Sequence, residues 1–210
     1  LEKYCKLMLN DVKYLDLIGV WSNKERFYSN FIKHAIKVNV EYLDPFFASI
    51  PWTKILKNKN VLVIHPFEKT ILKQYKIKSK IFKNKEILPK FNIKTIKAPL
   101  LEEVENSQFK NWFDCLNDMK FKMDNLKYDI VLIGCGAYGF NLAAHAKRRG
   151  KIAIHLGGSL QILFGIKGKR YENPNQLGGR YIKLFNKHWT RPSENERPKK
   201  SNLIENNAYW

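Results

Sequence analysis

The segment from Tyr128 to Gly158 constrains the fold most, because it contains every part of a β-loop-α-β unit. The apolar run Ile130–Ile133 has the length and composition of a buried strand. A Gly-x-Gly-x-x-Gly turn, Gly134–Gly139, follows it, and a helical stretch then ends at Gly150. A second apolar run, Ile152–Leu156, completes the unit. This order predicts parallel strands, with the glycine turn at the helix N-terminus, where a bound phosphate would lie.

Similar patterns precede this unit and extend the prediction to most of the chain. Three further strands are predicted at Ala35–Leu43, Val61–Ile64 and Phe91–Ala98, and helices are predicted over 67–82 and 107–126, the second capped by Ser107. Residues 1–34 have helical periodicity and are expected to form a helical lead-in. We therefore predict an α/β, Rossmann-like domain over residues 1–158, with a mainly parallel sheet of about five strands and helices on both faces.

The character of the sequence changes after Gly158. Residues 159–210 are rich in Gly, Asn, Pro and aromatic residues, with one helix expected near 179–185. Large side chains such as Trp189 and Trp210 are unfavourable in water, so we expect an ordered, aromatic-rich C-terminal appendage packed on the domain. Because Leu1 is not an initiator methionine, we also expect the chain to be a fragment of a longer protein.

The formal net charge of +19 comes mostly from lysines spread along the chain. They accompany abundant Asn, Ile and Phe, a mixture typical of an AT-rich genome, and no nucleic-acid-binding signature is present. We therefore expect solvated surface lysines and no nucleic-acid partner. The positive field would still favour anionic ligands such as nucleotide sugars or lipid phosphates, with peripheral contact at a membrane surface as a further option.

Targeting and cysteine patterns favour a cytoplasmic protein. No apolar run has the length of a transmembrane span, and no signal peptide is visible. The three cysteines are odd in number and lack metal-ligand spacing, so reduced thiols and no metal site are predicted. The sequence leaves open whether the reaction needs a divalent metal.

Polar residues and glycines follow three of the predicted strands. Because the carboxyl ends of parallel strands meet at one edge of a sheet, these residues are expected to form one pocket. The candidate catalytic residues are His65, Glu68 and His155. The candidate nucleotide-binding residues are Gly134, Gly136, Ala137, Tyr138, Gly139, Gly157, Gly158, Lys169 and Arg170. The alternative for each is structural: a tight turn for a glycine, an internal hydrogen bond for a histidine, and an ordinary charged turn for the basic pair.

The strand that follows the glycine turn argues against NAD. Dinucleotide-binding domains place an acidic residue at the end of this strand to hold the ribose hydroxyls. Here the strand ends in His155-Leu156-Gly157-Gly158, without an Asp or Glu. A phosphate or diphosphate still fits the turn, because backbone N–H groups and the helix dipole supply its binding.

Several segments resemble a known group of proteins. VLVIHPF, IGCGAYGFNLAAHAKRRGK, AIHLGGSLQILFGIKGKR and the closing NNAYW resemble the C-terminal part of uncharacterised proteins from bacterial capsule and surface-polysaccharide loci. Residues 128–158 are also similar to the second half of GT-D-fold glycosyltransferases. In that family an Asp-x-Glu element in an Arg-Phe-Gly-Asp-Gly-Glu-like segment engages the nucleotide sugar. This chain has no such segment, and its expected place is upstream of Leu1.

The resemblance implies a nucleotide-sugar-dependent glycosyltransferase domain, with a nucleotide diphosphate sugar as donor and a glycan or lipid-linked acceptor. Lys169 and Arg170 would stabilise the departing diphosphate, and Glu68, His65 or His155 would act on the acceptor hydroxyl. The alternative is a non-catalytic nucleotide- or glycan-binding module of a larger polysaccharide-biosynthesis protein. A nicotinamide enzyme with an atypical ribose contact is the third reading.

Overall fold

The structure is a computed structural model, and it describes residues 1–100, 109–175, 177–197, 201–203 and 205–210. Its strands form two parallel sheets. The strands are β1 (Leu17–Val20), β2 (Ile36–Asn39), β3 (Asn60–His65), β4 (Asn92–Lys97), β5 (Ile130–Ile133) and β6 (Ile152–His155). β1 pairs with β2, and the other four form the main sheet in the order β4-β3-β5-β6.

Within the described residues, six α-helices and a series of 3₁₀ helices connect and flank the strands. The α-helices are α1 (Glu2–Val12), α2 (Glu68–Lys76), α3 (Trp112–Asp124), α4 (Gly139–Arg148), α5 (Ser159–Leu163) and α6 (Lys169–Glu172). The 3₁₀ helices are Asn23–Tyr28, Val40–Leu43, Pro45–Phe47, Trp52–Leu56, Lys78–Lys80, Gly136–Tyr138, Leu177–Leu184, Glu194–Glu196, Ser201–Leu203 and Glu205–Asn207. Within the described ranges, no helix has both the length and the apolar character that crossing a membrane requires.

The central strands β3 and β5 of the main sheet are buried on both faces, which explains their continuous apolar runs. On β3, Val61 and Val63 point to the first face, while Leu62 and Ile64 point to the second. The first face packs against α2 and much of the segment after Gly158. The second face packs against α3 and α4. The predicted α/β, Rossmann-like fold with helices on both faces is therefore confirmed.

The predicted number of strands was too high, because the main sheet contains four rather than five. The expected strand Ala35–Leu43 is extended only at β2, which pairs with β1 outside the main sheet. Its end has a local cause: the Asn39 side chain accepts a hydrogen bond from the Glu41 N–H at 2.9 Å and caps the 3₁₀ helix that follows. Apolar alternation identified the strand but not the sheet to which it belongs.

The lead-in predicted as helical over residues 1–34 is an α-helix only in α1. The chain then forms β1, where Gly19 is needed for close packing. A methyl group on Gly19 would lie 2.7 Å from Leu43 Cδ1 and 2.9 Å from Val40 Cα. The spacing of Leu15 and Ile18 imitates a helical repeat, but tertiary contact with the segment after β2 determines the structure here.

The helix predicted over 107–126 is α3, and its start is set by a different residue from the one expected. The Asn111 side chain accepts hydrogen bonds from the N–H groups of Phe113 and Asp114 at 2.9 and 3.2 Å. This is the geometry of an N-cap. The predicted cap, Ser107, lies outside the described residues. The helix predicted over 67–82 ends at Lys76 and continues as a separate 3₁₀ turn.

The segment after Gly158 supplies a large part of the first-face core. Its buried side chains include Leu160, Phe164, Tyr171, Trp189 and Trp210. Ring contacts join it to the rest of the protein, since Trp210 packs edge-on against Phe67 at 5.5 Å and Trp189 against Phe82 at 5.5 Å. The division of the chain at residue 158 remains a prediction.

Candidate functional site

The residues predicted to meet at one edge of the sheet do follow adjacent strands there. In the register of the main sheet, Ile64 pairs with Ile133, and Ile133 pairs with His155, all in parallel strands. His65 ends β3, Gly134 follows β5, and His155 ends β6. The carboxyl ends of these strands therefore form a common rim.

The order of strands predicts a crevice at this rim. The helix α2, which follows β3 in the chain, packs on the first face through Ile71 and Tyr75. The helix α4, which follows the adjacent strand β5 in the chain, packs on the second face through Leu142 and Ala146. Because helices leave neighbouring strands in opposite directions, the space outside β3 and β5 is a topological switch point, where open α/β sheets bind ligands. We refer to it as the β3/β5 crevice.

Gly134 allows three segments to approach one another at the base of this crevice. A methyl group on Gly134 would lie 2.7 Å from both the Gly157 carbonyl oxygen and His65 Cδ2, and 2.9 Å from Leu160 Cβ. The Gly134 N–H itself donates to the Ile64 carbonyl at 2.9 Å. A side chain here would separate the strand ends, so Gly134 has a packing role in addition to its place in the turn.

The turn itself is open to solvent. Gly136 has φ of +55°, has space around its Cβ position, and is exposed together with Ala137. These residues lead through a single 3₁₀ turn into α4 at Gly139. The first N–H groups of a helix lack acceptors within it, and the helix dipole makes this end attractive to anions. The turn therefore presents backbone donors to the crevice.

His155 lies directly on the first residue of α4. A methyl group on Gly139 would come within 2.2 Å of His155 Nε2, so only glycine leaves room for the ring. The protein atoms packed around the imidazole lower the pKa of His155, although part of the side chain remains exposed. At pH 7 the ring is therefore neutral and able to accept a proton.

His65 is a buried, neutral hydrogen-bond donor. Its Nδ1 accepts the Phe67 N–H at 3.0 Å, so the neutral ring carries its proton on Nε2. Only 4% of the residue is exposed, and burial lowers its pKa to about 3. With one nitrogen occupied and the other protonated, His65 can donate to a ligand oxygen but lacks a free lone pair for a base. Its Cδ2 edge, next to Nε2, faces Gly134.

Glu68 is placed away from the glycine turn. It begins α2, and its carboxylate accepts the Thr95 hydroxyl at 3.2 Å. It lines an open groove of about 620 Å³ together with Lys97 and Phe121. That groove follows β4, which lies on the opposite side of β3 from β5. The structure thus brings His65 and His155 to the glycine segments, but not Glu68.

The basic residues Lys169 and Arg170 belong to the short helix α6. Arg170 donates to the Tyr209 hydroxyl at 3.1 Å, and its guanidinium lies 5.5 Å from the centre of that ring. The Tyr209 ring in turn packs on Gly158, where an added methyl group would lie 2.7 Å from it. Arg170 therefore reaches the rim through Tyr209, while Lys169 is exposed.

Tyr138 contributes only its backbone to the turn. Its ring is buried and stacks on Trp112 at 5.0 Å, with an interplanar angle of 6°. The neighbouring Cys135 is also buried, and burial raises the pKa of its thiol to about 12. Cys135 is therefore protonated at pH 7 and unsuited to be a nucleophile.

A residue that sequence reasoning missed closes a second helix N-terminus at this edge, that of α2. Glu196 is buried, and its carboxylate accepts the Lys69 N–H at 2.8 Å and the Thr70 N–H at 3.3 Å. It also accepts the hydroxyl groups of Thr70 and Ser193. The start of α2 is thus neutralised from within, whereas the turn that leads into α4 remains exposed at Gly136 and Ala137. No sequence signal connects Glu196 to α2, since more than a hundred residues separate them.

Within the described part of the chain, no group of three or more His, Cys, Asp or Glu side chains could hold a metal ion. No family model, curated protein or solved structure matches this chain. Inferences about function therefore depend on the geometry of the rim and on the residues that form it.

Proposed function

We propose that this chain binds a nucleoside diphosphate in the β3/β5 crevice, as the donor-binding domain of a nucleotide-sugar-dependent glycosyltransferase of bacterial capsule or surface polysaccharide synthesis. The observation that carries the proposal is the contrast between two helix N-termini at one rim. Glu196 occupies the start of α2, while the exposed Gly136-Ala137 turn leaves the start of α4 open. An anion entering the crevice can therefore bind the backbone donors of the Gly136-Ala137 turn.

Each rim residue has a role in this proposal. The exposed residues Gly136 and Ala137 donate backbone N–H groups to the diphosphate, and the positive end of α4 stabilises its charge. His65 donates Nε2–H to a ligand oxygen, a role that its neutral state suits. Arg170, held beside Gly158 by Tyr209, adds a cation at the same edge.

The chemistry follows from these roles. In glycosyl transfer the bond between the anomeric carbon and the terminal phosphate oxygen breaks, and the acceptor oxygen bonds to that carbon. Charge develops on the departing diphosphate, where backbone donors and Arg170 would stabilise it. The acceptor hydroxyl loses a proton, and His155 is the neutral, partly exposed group at this rim that could accept it.

The placement of Glu68 favours the second candidate, a binding module without catalysis. Its carboxylate lies on the β4 side and accepts the Thr95 hydroxyl, away from the glycine turn. A module would use the same donors to hold a nucleotide or glycan and would position it for a partner domain. The two functions share the binding site and differ in turnover.

Calorimetric titration with UDP, GDP and NAD tests the binding step. We expect a nucleoside diphosphate to bind more tightly than NAD, because β6 ends in His155 rather than an acid. Gly136→Val should weaken binding by more than tenfold, since its side chain enters the site. Gly150→Val is the matched control: Gly150 has φ of +70° and open space around it, but lies at the other end of α4. Tight NAD binding without UDP binding, or equal losses in the two variants, would contradict the proposal.

The cationic contribution and the turnover are tested separately. Arg170→Ala should weaken diphosphate binding by about 1.5–3 kcal/mol, the range for a charge-assisted hydrogen bond. Arg149→Ala, which alters an exposed arginine paired with Asp124, should leave the affinity unchanged. Release of labelled sugar from a nucleotide sugar would support the transferase. Binding without release, across several donors and acceptors, would favour the module.

A further inference from the structure

Exposed aromatic and aliphatic side chains are concentrated in the connection between β1 and β2. We call residues 21–37 the aromatic–basic face. Trp21 is 80% exposed, Phe27 71% and Ile36 64%. Tyr28 and Phe31 are exposed as well. Large apolar groups grouped in this way are unfavourable in water, and on monomeric proteins such patches mark sites of interaction.

The backbone fixes these side chains outward. Ile32 and Ala35 are buried and anchor the segment to the protein. A capping box at Ser22 and Glu25 holds the 3₁₀ helix Asn23–Tyr28 at its start. The Ile32 N–H donates to the Tyr28 carbonyl at 3.2 Å, which continues the turn. The exposed rings are therefore held on an ordered surface.

The strands beneath this connection are incomplete as a sheet. β1 and β2 are a parallel pair of four residues each, and parallel strands are normally covered on both faces. The paired residues Leu17 and Ile36 are instead both exposed. The region thus has apolar surface that a further contact would bury.

Cations alternate with the apolar residues along the face. Lys24, Arg26, Lys33 and Lys37 are exposed. The Arg26 guanidinium lies 5.1 Å from the centre of the Phe27 ring. The acid within residues 21–37, Glu25, is engaged by the backbone N–H of Ser22 at 2.9 Å. Basic residues between exposed aromatic rings are the composition of surfaces that insert into the headgroup region of anionic bilayers.

We propose that the aromatic–basic face docks on an anionic lipid surface, with Trp21 and Phe27 in the interfacial region and the four cations against lipid phosphates. A second copy is a poor occupant, because a two-fold contact would bring together two copies of the same patch, each with four cations. An acidic protein partner is the remaining alternative. The proposal depends on residues 21–37 and the adjoining β1, and is independent of nucleotide binding.

Binding to lipid vesicles tests the proposal with an internal reporter. Of the five tryptophans, all within the described part of the chain, only Trp21 is exposed. We expect vesicles of phosphatidylcholine with phosphatidylglycerol to shield Trp21 from acrylamide quenching, and vesicles of phosphatidylcholine alone to do so weakly. Raised salt should reduce the binding by screening the cations. Equal binding to both vesicles, or none to either, would overturn the proposal, as would concentration-dependent shielding of Trp21 without vesicles.

Two variants, each with a matched control, separate this face from the rest of the surface. Changing Lys24, Arg26, Lys33 and Lys37 to Gln should weaken binding to anionic vesicles by at least about tenfold. Changing the exposed lysines Lys73, Lys76, Lys83 and Lys90 to Gln removes the same charge elsewhere and should have little effect. Similarly, the double variant Phe27→Ser, Phe31→Ser should weaken binding. The control Phe121→Ser changes a side chain that is 69% exposed on another part of the surface, and it should not weaken binding. An equal loss of vesicle binding in a variant of the aromatic–basic face and in its control would overturn the proposal.

Discussion

Replacing Glu196 with alanine tests the most specific tertiary contact at the rim. The carboxylate accepts the backbone N–H groups of Lys69 and Thr70, and the hydroxyl groups of Thr70 and Ser193. Removing it leaves the start of α2 without a cap, and an N-cap is worth about 1 kcal/mol. Hydrogen bonds to a charged group add about 1.5–3 kcal/mol. We therefore expect the free energy of unfolding to fall by about 3 kcal/mol.

Thermal unfolding followed by circular dichroism measures this effect. For a chain of this length, about 3 kcal/mol corresponds to a fall in Tm of about 6–12 °C. Glu194→Ala is the matched control, because Glu194 is exposed in the same 3₁₀ helix. Inorganic phosphate should restore part of the Tm lost in Glu196→Ala by binding the uncovered N-terminus of α2, and should affect Glu194→Ala less. Equal Tm values for the two variants would refute the reasoning.

Three further outcomes are expected. Gly139→Ala should displace the His155 ring, because the new methyl group would lie 2.2 Å from His155 Nε2. Calorimetry should then show loss of diphosphate binding. Unchanged binding would contradict the packing. His65 has a folded-state pKa of about 3, so between that value and its usual 6.5 only the unfolded state gains its proton. As the pH decreases through this range, the free energy of unfolding should therefore decrease by up to about 1.4 kcal/mol per pH unit because of this group. Below pH 6, the Tm of His65→Asn should decrease less steeply than that of the unsubstituted protein. In the native protein, a thiol-specific disulfide reagent should modify the exposed Cys5 rapidly and the buried Cys135 only on unfolding. Equal rates of modification would contradict the burial of Cys135.

The main sheet could be predicted because its pattern is local. β3 and β5 are continuous apolar runs that end in His65 and Gly134, and such runs are typical of strands covered on both faces. Since parallel strands share an edge, the meeting of His65, Gly134 and His155 followed from strand direction alone. The two-stranded sheet could not be assigned in the same way, because the pairing of β1 with β2 depends on tertiary contacts around Gly19.

The roles of the rim residues were less accessible from sequence. His65 is a donor rather than a base because the Phe67 N–H occupies Nδ1, and residue identity does not reveal that contact. Tyr138 turns its ring to Trp112, although its position in the turn suggested a ligand contact. Glu196 reaches α2 from the distant C-terminal segment. Sequence patterns locate strand ends, but side-chain partners from remote segments determine what each end can do.

Amide resonances of the glycine turn provide the most direct test of the proposed site. In a ¹H–¹⁵N correlation spectrum, titration with UDP should shift the amides of Gly136 and Ala137, since these groups would donate to the diphosphate. The amides of Gly150 and Gly179, which also have positive φ but lie outside the crevice, should remain in place. Unchanged turn amides at UDP concentrations that shift other residues would contradict binding in the β3/β5 crevice.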